Sequence, residues 1–302
     1  MAAKKILVIG SSNTDMVIKS SRLPAAGETI LGGNFLMNPG GKGANQAVAA
    51  AKLGGAVTFI TKVGKDIFGR EAVQGFEKTG IQTEFIAQDE KTPSGVALIM
   101  VDDHGENSIS VALGANGTLN QADLDKATSA FQAADLVLIQ LEIPLAMVLY
   151  ATQLAAHHHA KVILNPAPAQ NLPDHLLRQL YCITPNETEA ALLTGIQVTD
   201  TPSANQAAQQ LIEKGVKNVI ITLGANGAYV LTENMAALVP TEAVKAIDTT
   251  AAGDTFNGAL AVGLARGWGF SQSIEFANKA AAYSVTKMGA QSSAPTLKDL
   301  EL

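Results

Sequence analysis

The segment Asp248-Thr-Thr-Ala-Ala-Gly-Asp254-Thr-Phe-Asn-Gly258 joins an extended run that ends at Ile247 to an apolar helical pattern that continues through Leu264. Small residues at a helix start leave its first N–H groups accessible, and those groups have no partner within the helix. Together with the helix dipole they form an anion site, and Asp254 lies next to it. A carboxylate beside an anion site suits a general base for a hydroxyl that attacks a phosphate, although Asp is also a common helix N-cap.

The composition excludes several classes of protein. The chain has 302 residues, of which 47% are hydrophobic and only 16% are charged, which indicates a well-filled core. A net charge of −6 without a basic stripe argues against nucleic acid as a partner. Cys182 is the only cysteine, which excludes an intrachain disulfide and fits a reducing compartment. Because no apolar run is long enough to span a membrane, we expect a soluble, cytoplasmic protein without a membrane partner.

Strand-like and helix-like segments alternate along the chain. This alternation predicts an α/β fold with a largely parallel sheet and helices on both of its faces. The predicted core strands are 5–9, 57–63, 135–140, 161–165, 181–184 and 218–223. The predicted helices are 43–53, 68–78, 121–131, 145–156, 203–214, 255–266 and 271–286.

Two regions, 16–37 and 95–111, depart from this alternation. They contain short alternating runs separated by turn residues, without a helical period, and they predict hairpins that form a second, smaller sheet. A sheet that projects beside a Gly-rich loop suits a lid over a site. We therefore expect one domain over residues 1–302, with a lid formed by about 14–37 and 95–112.

A second segment with functional residues is Asn38-Pro-Gly-Gly-Lys-Gly-Ala-Asn-Gln46. It is not a phosphate-binding P-loop, because Gly43 stands where that pattern needs a hydroxyl residue. The first strand also lacks the dinucleotide fingerprint G-x-G-x-x-G, which disfavours an NAD-dependent oxidoreductase. Amide, carboxylate and ammonium groups from this loop and from Asn13 and Asp15 would suit a polyhydroxylated ligand. The alternative is a solvated turn with an Asn cap.

Two further segments follow predicted strands. In Thr184-Pro-Asn-Glu-Thr-Glu189, the side chains of Asn186 and Glu189 could hold a metal–phosphate group through water, or could simply cap a helix. In Ile221-Thr-Leu-Gly-Ala-Asn-Gly227, a Gly-rich turn would allow a flat base or a ribose to approach closely, or would form a plain hairpin turn.

Taken together, these segments resemble the phosphofructokinase-B type sugar kinases, and within them the ribokinase branch. The loop at 40–50, Asn165-Pro-Ala-Pro-Ala169, the segments at 184–190 and 221–224, and 248–260 occur in the family's order and spacing. The resemblance implies a three-layer α/β sandwich with a β-sheet lid. It also implies transfer of phosphate from ATP to the 5-hydroxyl of D-ribose, with Mg²⁺ and K⁺, in a homodimer that pairs through the lid.

The resemblance also implies roles for individual positions. Asp254 is expected to take the proton from the sugar hydroxyl, and the amides of Ala252 and Gly253 to form an anion hole for the phosphoryl group. The expected sugar-binding residues are Asn13, Asp15, Gly41, Lys42, Asn45, Glu142 and Asp254. The expected nucleotide-binding residues are Asn186, Glu189, Thr222, Gly224, Gly227, Gly253 and Asn278, and Glu189 is also expected to hold Mg²⁺ through water. The expected monovalent-cation site comprises Asp248, Thr250, Ser284, Lys287, Gly289 and Ser293, mostly through backbone carbonyls.

Other functions stay open at this point. A related kinase could act on another sugar or on a nucleoside, as fructokinases and adenosine kinases do. Lys42 is the only cation in the sugar-side segments, which favours a neutral sugar over a sugar phosphate. A sugar-binding regulator without catalysis is disfavoured, because Asp254 and Gly253 are both present.

Overall fold

Strands and helices alternate over residues 4–301, the part of the chain that the computed structural model describes. The strands are β1 Lys5–Ile9, β2 Asn13–Lys19, β3 Asn34–Gly40, β4 Ala56–Ile60, β5 Lys62–Gly64, β6 Ala87–Asp89, β7 Gly95–Val101, β8 Asn107–Ala112, β9 Leu136–Ile139, β10 Lys161–Leu164, β11 Cys182–Ile183, β12 Val219–Thr222, β13 Ala228–Thr232 and β14 Met235–Val239. The helices are α1 Lys42–Lys52, α2 Ile67–Lys78, α3 Gln121–Lys126, α4 Thr128–Ala133, α5 Leu145–His157, α6 Asp174–Leu177, α7 Glu187–Thr194, α8 Thr201–Glu213, α9 Ala252–Ala265 and α10 Phe270–Ser284.

The main sheet has eight strands in the order β14-β13-β12-β11-β10-β9-β1-β4. All pairings from β12 to β4 are parallel, and β13 pairs antiparallel with both β12 and β14. The six strands predicted from the sequence are the parallel ones. The prediction of a largely parallel central sheet is therefore confirmed.

Both faces of this sheet are buried, which explains the continuous apolar strands. In β1, Leu7 and Ile9 belong to one core cluster, whereas Ile6 and Val8 belong to the other. The first cluster includes residues of α3, α4, α5, α7 and α8, and the second includes residues of α1, α2, α9 and α10. The fold is therefore a three-layer sandwich of helices, sheet and helices.

A second sheet of four strands, in the order β3-β2-β7-β8, projects from the main one. Its strands come from the two regions that lacked a helical period, so the predicted small β-sheet lid is confirmed. Strand β2 pairs antiparallel with β3 and parallel with β7, which places Asn13 opposite both Gly40 and Gly95. Within residues 4–301, no helix combines the length and the apolar character needed to cross a membrane.

The sequence prediction of a single helix over 121–131 is wrong. The chain forms two short helices, α3 and α4, and its backbone bends between them at Ala127. The hydroxyl of Thr128 donates to the carbonyl of Asp125 at 2.6 Å. Such local side-chain bonds compete with helix continuation, which accounts for the break.

The predicted strand 57–63 is divided in the same way. Strand β4 ends at Ile60, and Val63 lies in β5, which pairs with β6 in a separate two-stranded sheet. Thr61 and Lys62 interrupt the apolar run at this point, and the predicted strand was wrongly continued across them.

Candidate active site

The candidate residues converge at one edge of the main sheet, beyond the carboxyl ends of its parallel strands. Such an edge is the usual place for a ligand site in an open α/β sheet. Asn13 follows β1, Glu142 follows β9, Asn186 follows β11 and Thr222 ends β12. The start of α9 brings Asp254 to the same edge, where its carboxylate contacts two side chains of α1.

The side chain of Asp254 does not cap its own helix. The N-cap position of α9 is Ala251, and its side chain makes no capping bond. The Oδ2 atom of Asp254 accepts a hydrogen bond from Nδ2 of Asn45 at 2.9 Å, and Oδ1 accepts one from Nε2 of Gln46 at 2.9 Å. Asp254 is only 6% exposed. The carboxylate is therefore held across the interface between two helices and does not serve as a cap.

Two glycines allow α1 to reach Asp254. Gly41 is the N-cap of α1 and has a φ of 89°, a conformation that strains any residue with a side chain. Gly258 faces α1, and an added Cβ there would lie 2.8 Å from the Cβ of Ala49 and 2.8 Å from the carbonyl oxygen of Gln46. The two helices can pack closely only because position 258 has no side chain.

The turn before α9 presents backbone donors without acceptors. Ala251 adopts a left-handed conformation with φ 59°, which costs about 1–2 kcal/mol for a residue other than glycine. Among the described residues, no acceptor is found for the N–H groups of Gly253 and Asp254, whereas the N–H of Ala252 lies 3.3 Å from the carbonyl of Thr249. A Cβ added at Gly253 would have no neighbour within 4 Å in the described structure. Open space and unpaired donors at a helix start are what an anion needs.

Buried charge of both signs surrounds this turn. Burial, with the nearby charges of Glu142 and Asp254, raises the pKa of Asp15 to about 6. Burial also raises the pKa of Asp254, although Lys42 opposes that effect. Burial works to lower the pKa of Lys42, but four surrounding carboxylates outweigh it and raise that pKa. Lys42 therefore stays protonated between acids that compete for its charge.

Hydrogen bonds hold Glu142 and Asn13, two of the residues expected to bind the sugar. The Oε2 atom of Glu142 accepts from the hydroxyl of Ser11 at 2.5 Å and from the N–H of Lys42 at 3.0 Å. Asn116 donates from Nδ2 to Oδ1 of Asn13 at 2.8 Å, which fixes that amide. Oδ1 of Asn45 is buried and has no partner in the described structure, so it can accept from a ligand hydroxyl.

Several residues expected to bind the nucleotide are chain neighbours of residues that line a cleft, although they do not line it themselves. Asn186 and Glu189 form a reciprocal capping box at the start of α7, and Asn186 forms a parallel bridge with Thr222. A cleft of about 490 Å³ extends past the turn between Gly224 and Gly227; it is lined by Glu187, Val198, Thr199, Asp200, Thr201, Leu223, Ala225, Asn226, Leu238, Pro240 and Thr241. Capping and ligand binding are compatible here, because the box uses only Oδ1 of Asn186 and Oε2 of Glu189 and leaves Nδ2 of Asn186 and Oε1 of Glu189 for a ligand.

Asn278 shapes the wall of an adjoining cleft. Its Nδ2 donates to the carbonyls of Val239 at 3.0 Å and Pro240 at 3.1 Å. This second cleft, of about 360 Å³, shares Pro240 and Thr241 with the first. The amide donors of Asn278 thus hold the loop after β14 in place.

Asp248 joins the two segments expected to hold a monovalent cation. Its Oδ1 accepts from the N–H of Thr250 and its Oδ2 accepts from the N–H of Gly289, both at 2.9 Å. Burial disfavours the charge of Asp248, but these hydrogen bonds outweigh burial and lower its pKa. The hydroxyls of Ser284 and Ser293 donate to nearby carbonyls of their own segments, at 2.8 Å each. Lys287 instead lies over the ring of Tyr283, with its Nζ 5.4 Å from the ring centre.

Sequence reasoning missed three polar residues that support the site. Gln46 donates to Asp254, Gln140 donates to Gln46, and Asn116 holds Asn13. Two signals in the sequence could have found two of them. Gln140 is a polar residue at the carboxyl end of an apolar strand, and Gln46 is adjacent to a candidate residue, Asn45. Neither signal indicates the partner, because each contact joins segments about a hundred or more residues apart.

Comparison with known proteins identifies the family of the chain. The family model described as pfkB family carbohydrate kinase matches residues 3–297, and the chain belongs to that family. The chain is similar to a ribokinase of Haemophilus influenzae, with 45% identity over 98% of this chain and 97% of the relative. A mouse ribokinase is 43% identical over 99% of this chain and 94% of the relative. The structure of an Arabidopsis thaliana ribokinase complexed with ribose and ATP superposes with a TM-score of 0.91 at 31% identity, covering 99% of this chain and 98% of that one.

Proposed function

We propose that this protein transfers the terminal phosphate of ATP to the 5-hydroxyl of D-ribose, giving D-ribose 5-phosphate and ADP. The observation that carries the proposal is the pairing of a buried carboxylate, Asp254, with the unpaired N–H groups at the start of its own helix. Phosphoryl transfer requires positioning of the reactants and neutralisation of charge more than covalent chemistry, and this arrangement supplies both. The named ribokinases that match nearly the whole chain give the sugar.

In this proposal Asp254 accepts the proton of the sugar hydroxyl as that oxygen attacks the phosphate. The N–H of Gly253 and that of Asp254 stabilise the charge that develops on the phosphoryl oxygens. Ala252 joins them when its N–H turns away from the carbonyl of Thr249, 3.3 Å away. The ammonium of Lys42 adds positive charge between the two substrates.

The sugar is bound by groups that lie between the lid and the core. Asn13, Asp15 and Glu142 offer amide and carboxylate oxygens, and Asn45 offers its unpartnered Oδ1. These groups suit hydroxyls, and Lys42 is the only cation among the residues expected to bind the sugar, which favours a neutral sugar over a sugar phosphate. Residues 14–37 and 95–112 act as the lid over this site, within a single kinase domain.

Two metal ions complete the proposal. Mg²⁺ suits Glu189, because its Oε1 has no donor in the described structure while Oε2 serves the capping box. K⁺ suits the carbonyls of 248–250 and 284–293, which Asp248 already holds together. Mg²⁺ held at Glu189 would supply charge neutralisation for the phosphates, and K⁺ held by these carbonyls would brace the turn before α9. Between residues 4 and 301, no group of three or more His, Cys, Asp or Glu residues could hold a metal ion. The two proposed sites do not depend on such a group, because Mg²⁺ would be held through water and K⁺ by carbonyls.

We also propose a cytoplasmic homodimer that pairs through the lid. The lid face opposite Asp15 carries Ile18, Phe35, Met37 and Leu98, and their side chains are 44–61% exposed. An exposed apolar patch of this kind marks an interaction surface. Sedimentation of the purified protein as a monomer at micromolar concentration would contradict this part of the proposal.

A coupled assay of ADP release tests the function directly. Ribose, fructose, adenosine and fructose 6-phosphate are supplied in turn with ATP and Mg²⁺, and kcat/KM is compared. The proposal expects ribose to be preferred and fructose 6-phosphate to be the poorest, because it adds a dianion to a site with three carboxylates. If kcat/KM for adenosine or fructose exceeds that for ribose by a factor of ten or more, ribose is not the substrate and the proposal is wrong.

A further inference from the structure

The carboxylate of Asp254 is held at the end of a chain of buried amide side chains. Gln46 donates through Nε2 to Oδ1 of Asp254 at 2.9 Å and to Oδ1 of Asn165 at 3.0 Å. Gln140 donates through its own Nε2 to Oε1 of Gln46 at 2.5 Å. Gln46 and Gln140 are both 0% exposed. None of the sugar, nucleotide or metal roles above uses either glutamine.

The chemistry of the groups fixes the direction of this chain. An ionised carboxylate can only accept, so the amino end of Gln46 must face Asp254. Oε1 of Gln46 then faces away and needs a donor, which Gln140 supplies. The amide of Gln140 fits because position 10 is glycine: an added Cβ at Gly10 would lie 2.1 Å from Oε1 of Gln140.

The same network reaches the anion hole. Asn165 donates to the carbonyl of Thr184 at 3.3 Å, and the hydroxyl of Thr184 donates to Oδ1 of Asn257 at 2.7 Å. Asn257 in turn donates to the carbonyl of Gly253 at 2.8 Å. Gln46 is therefore hydrogen-bonded directly to Asp254 and, through Asn165, Thr184 and Asn257, is connected to the carbonyl of Gly253.

We infer that Gln46, backed by Gln140, is a positioning residue that keeps Asp254 ionised and aimed at the attacking hydroxyl. The inference rests on the proposed kinase function. Gln46 lies behind the carboxylate and acts through it. Gln140 acts through Gln46, so its effect depends on the presence of Gln46.

The charges around Asp254 do not change when these amides are replaced. Lys42 from α1 favours the ionised carboxylate, while Glu142 after β9, Asp15 from β2 and Glu189 from α7 oppose it. Burial raises the pKa of Asp254, and the bond from Gln46 acts against that rise. Any shift of the pKa of Asp254 in a glutamine variant therefore reports the lost hydrogen bond.

The test is the pH dependence of kcat at saturating ribose and ATP for Gln46→Met, Gln140→Met and the double variant. Loss of a hydrogen bond to a charged group should move the acid limb of Gln46→Met upward by about one to two pH units. Gln140→Met should move it less, and the double variant should match Gln46→Met alone. Ribose affinity measured by calorimetry at pH 8 should change far less than kcat.

Asn218 provides a matched control in the same sheet. It is a buried amide that donates to the carbonyl of Tyr181 at 2.7 Å, just before β12 begins. Asn218→Leu should lower the melting temperature and leave the acid limb in place. If Gln46→Met does not fold, the shift of the acid limb in Gln140→Met tests the inference, because Gln140 lies one hydrogen bond farther from Asp254. If the wild type is active and the acid limbs of the kcat–pH profiles of the variants do not move, this inference alone is overturned. If the wild type does not turn over ribose, the proposed function is overturned as well.

Discussion

Replacing Asp15 by Asn should stabilise the ligand-free protein while weakening ribose binding. Burial and two neighbouring carboxylates raise the pKa of Asp15 from 3.8 to about 6. At 1.36 kcal/mol per pKa unit this rise corresponds to roughly 3 kcal/mol, which is the order of the cost of keeping Asp15 charged in the folded protein above that pH. Asn has nearly the same shape and carries no charge, so this cost disappears in the variant.

The pH dependence has a definite sign. Between about pH 4 and pH 6, the unfolded chain releases the proton of Asp15 while the folded protein keeps it. The free energy of unfolding of the wild type therefore falls as the pH rises through this window, and Asp15 contributes no further change above it. The advantage of Asp15→Asn should be close to zero near pH 4 and should reach as much as about 3 kcal/mol at pH 8.

Urea unfolding of both proteins without ligands, at pH 4.5 and pH 8, measures this difference. Asp103→Asn, at an exposed position of the lid, is the matched control and should show little difference at either pH. Ribose affinity at pH 8 should fall roughly ten- to a hundredfold in Asp15→Asn, because a charged hydrogen-bond acceptor is lost. An advantage that is equal at both pH values, or a variant that is less stable at pH 8, would refute the reasoning.

Three further predictions concern the phosphate side of the site. Gly253→Ala should keep or slightly raise the melting temperature, since a Cβ meets no atom of the described chain within 4 Å and alanine favours the helix. Its kcat/KM should nevertheless fall by about 10²-fold, because the methyl group displaces the phosphate. Retained kinetics would place the phosphate elsewhere. Activity should rise several-fold when K⁺ replaces a bulky organic cation at equal ionic strength, and Asp248→Ala should blunt this response more than it weakens ribose binding; equal rates in K⁺, Na⁺ and the organic cation would exclude the cation site. Glu189→Gln should preserve the capping box and raise the Mg²⁺ concentration needed for half-maximal rate, and an unchanged Mg²⁺ requirement would remove Glu189 from the metal site.

Local sequence patterns predicted the elements that carry the site. The small residues before Asp254 indicate an accessible helix start, and the helix predicted over 255–266 is present as α9, which begins three residues earlier, at Ala252. The strands of the parallel sheet were visible as apolar runs, because both faces of the sheet are buried. Where a side chain overrides the local pattern, as Thr128 does after α3, the prediction failed.

The contacts inside the site depend on packing and could not be predicted in this way. Gln46 reaches Asp254 because Gly258 lets α1 approach α9, and these positions are more than two hundred residues apart. The raised pKa of Asp15 likewise depends on its burial and on Glu142 and Asp254, which lie far along the chain. A single sequence shows which residues are polar and which segments are helical. It does not show which of them share a buried volume.

The proposed catalytic role of Asp254 is tested most directly by the turnover number of Asp254→Asn with ribose, ATP and Mg²⁺ at pH 8. Asn keeps the shape of the side chain and removes the base, whose contribution is typically about 10²–10⁴-fold. We predict that kcat falls by at least about 10²-fold, while the variant still unfolds cooperatively and its affinity for ATP stays near the wild-type value. Turnover within threefold of the wild type would contradict the assignment of Asp254 as the base.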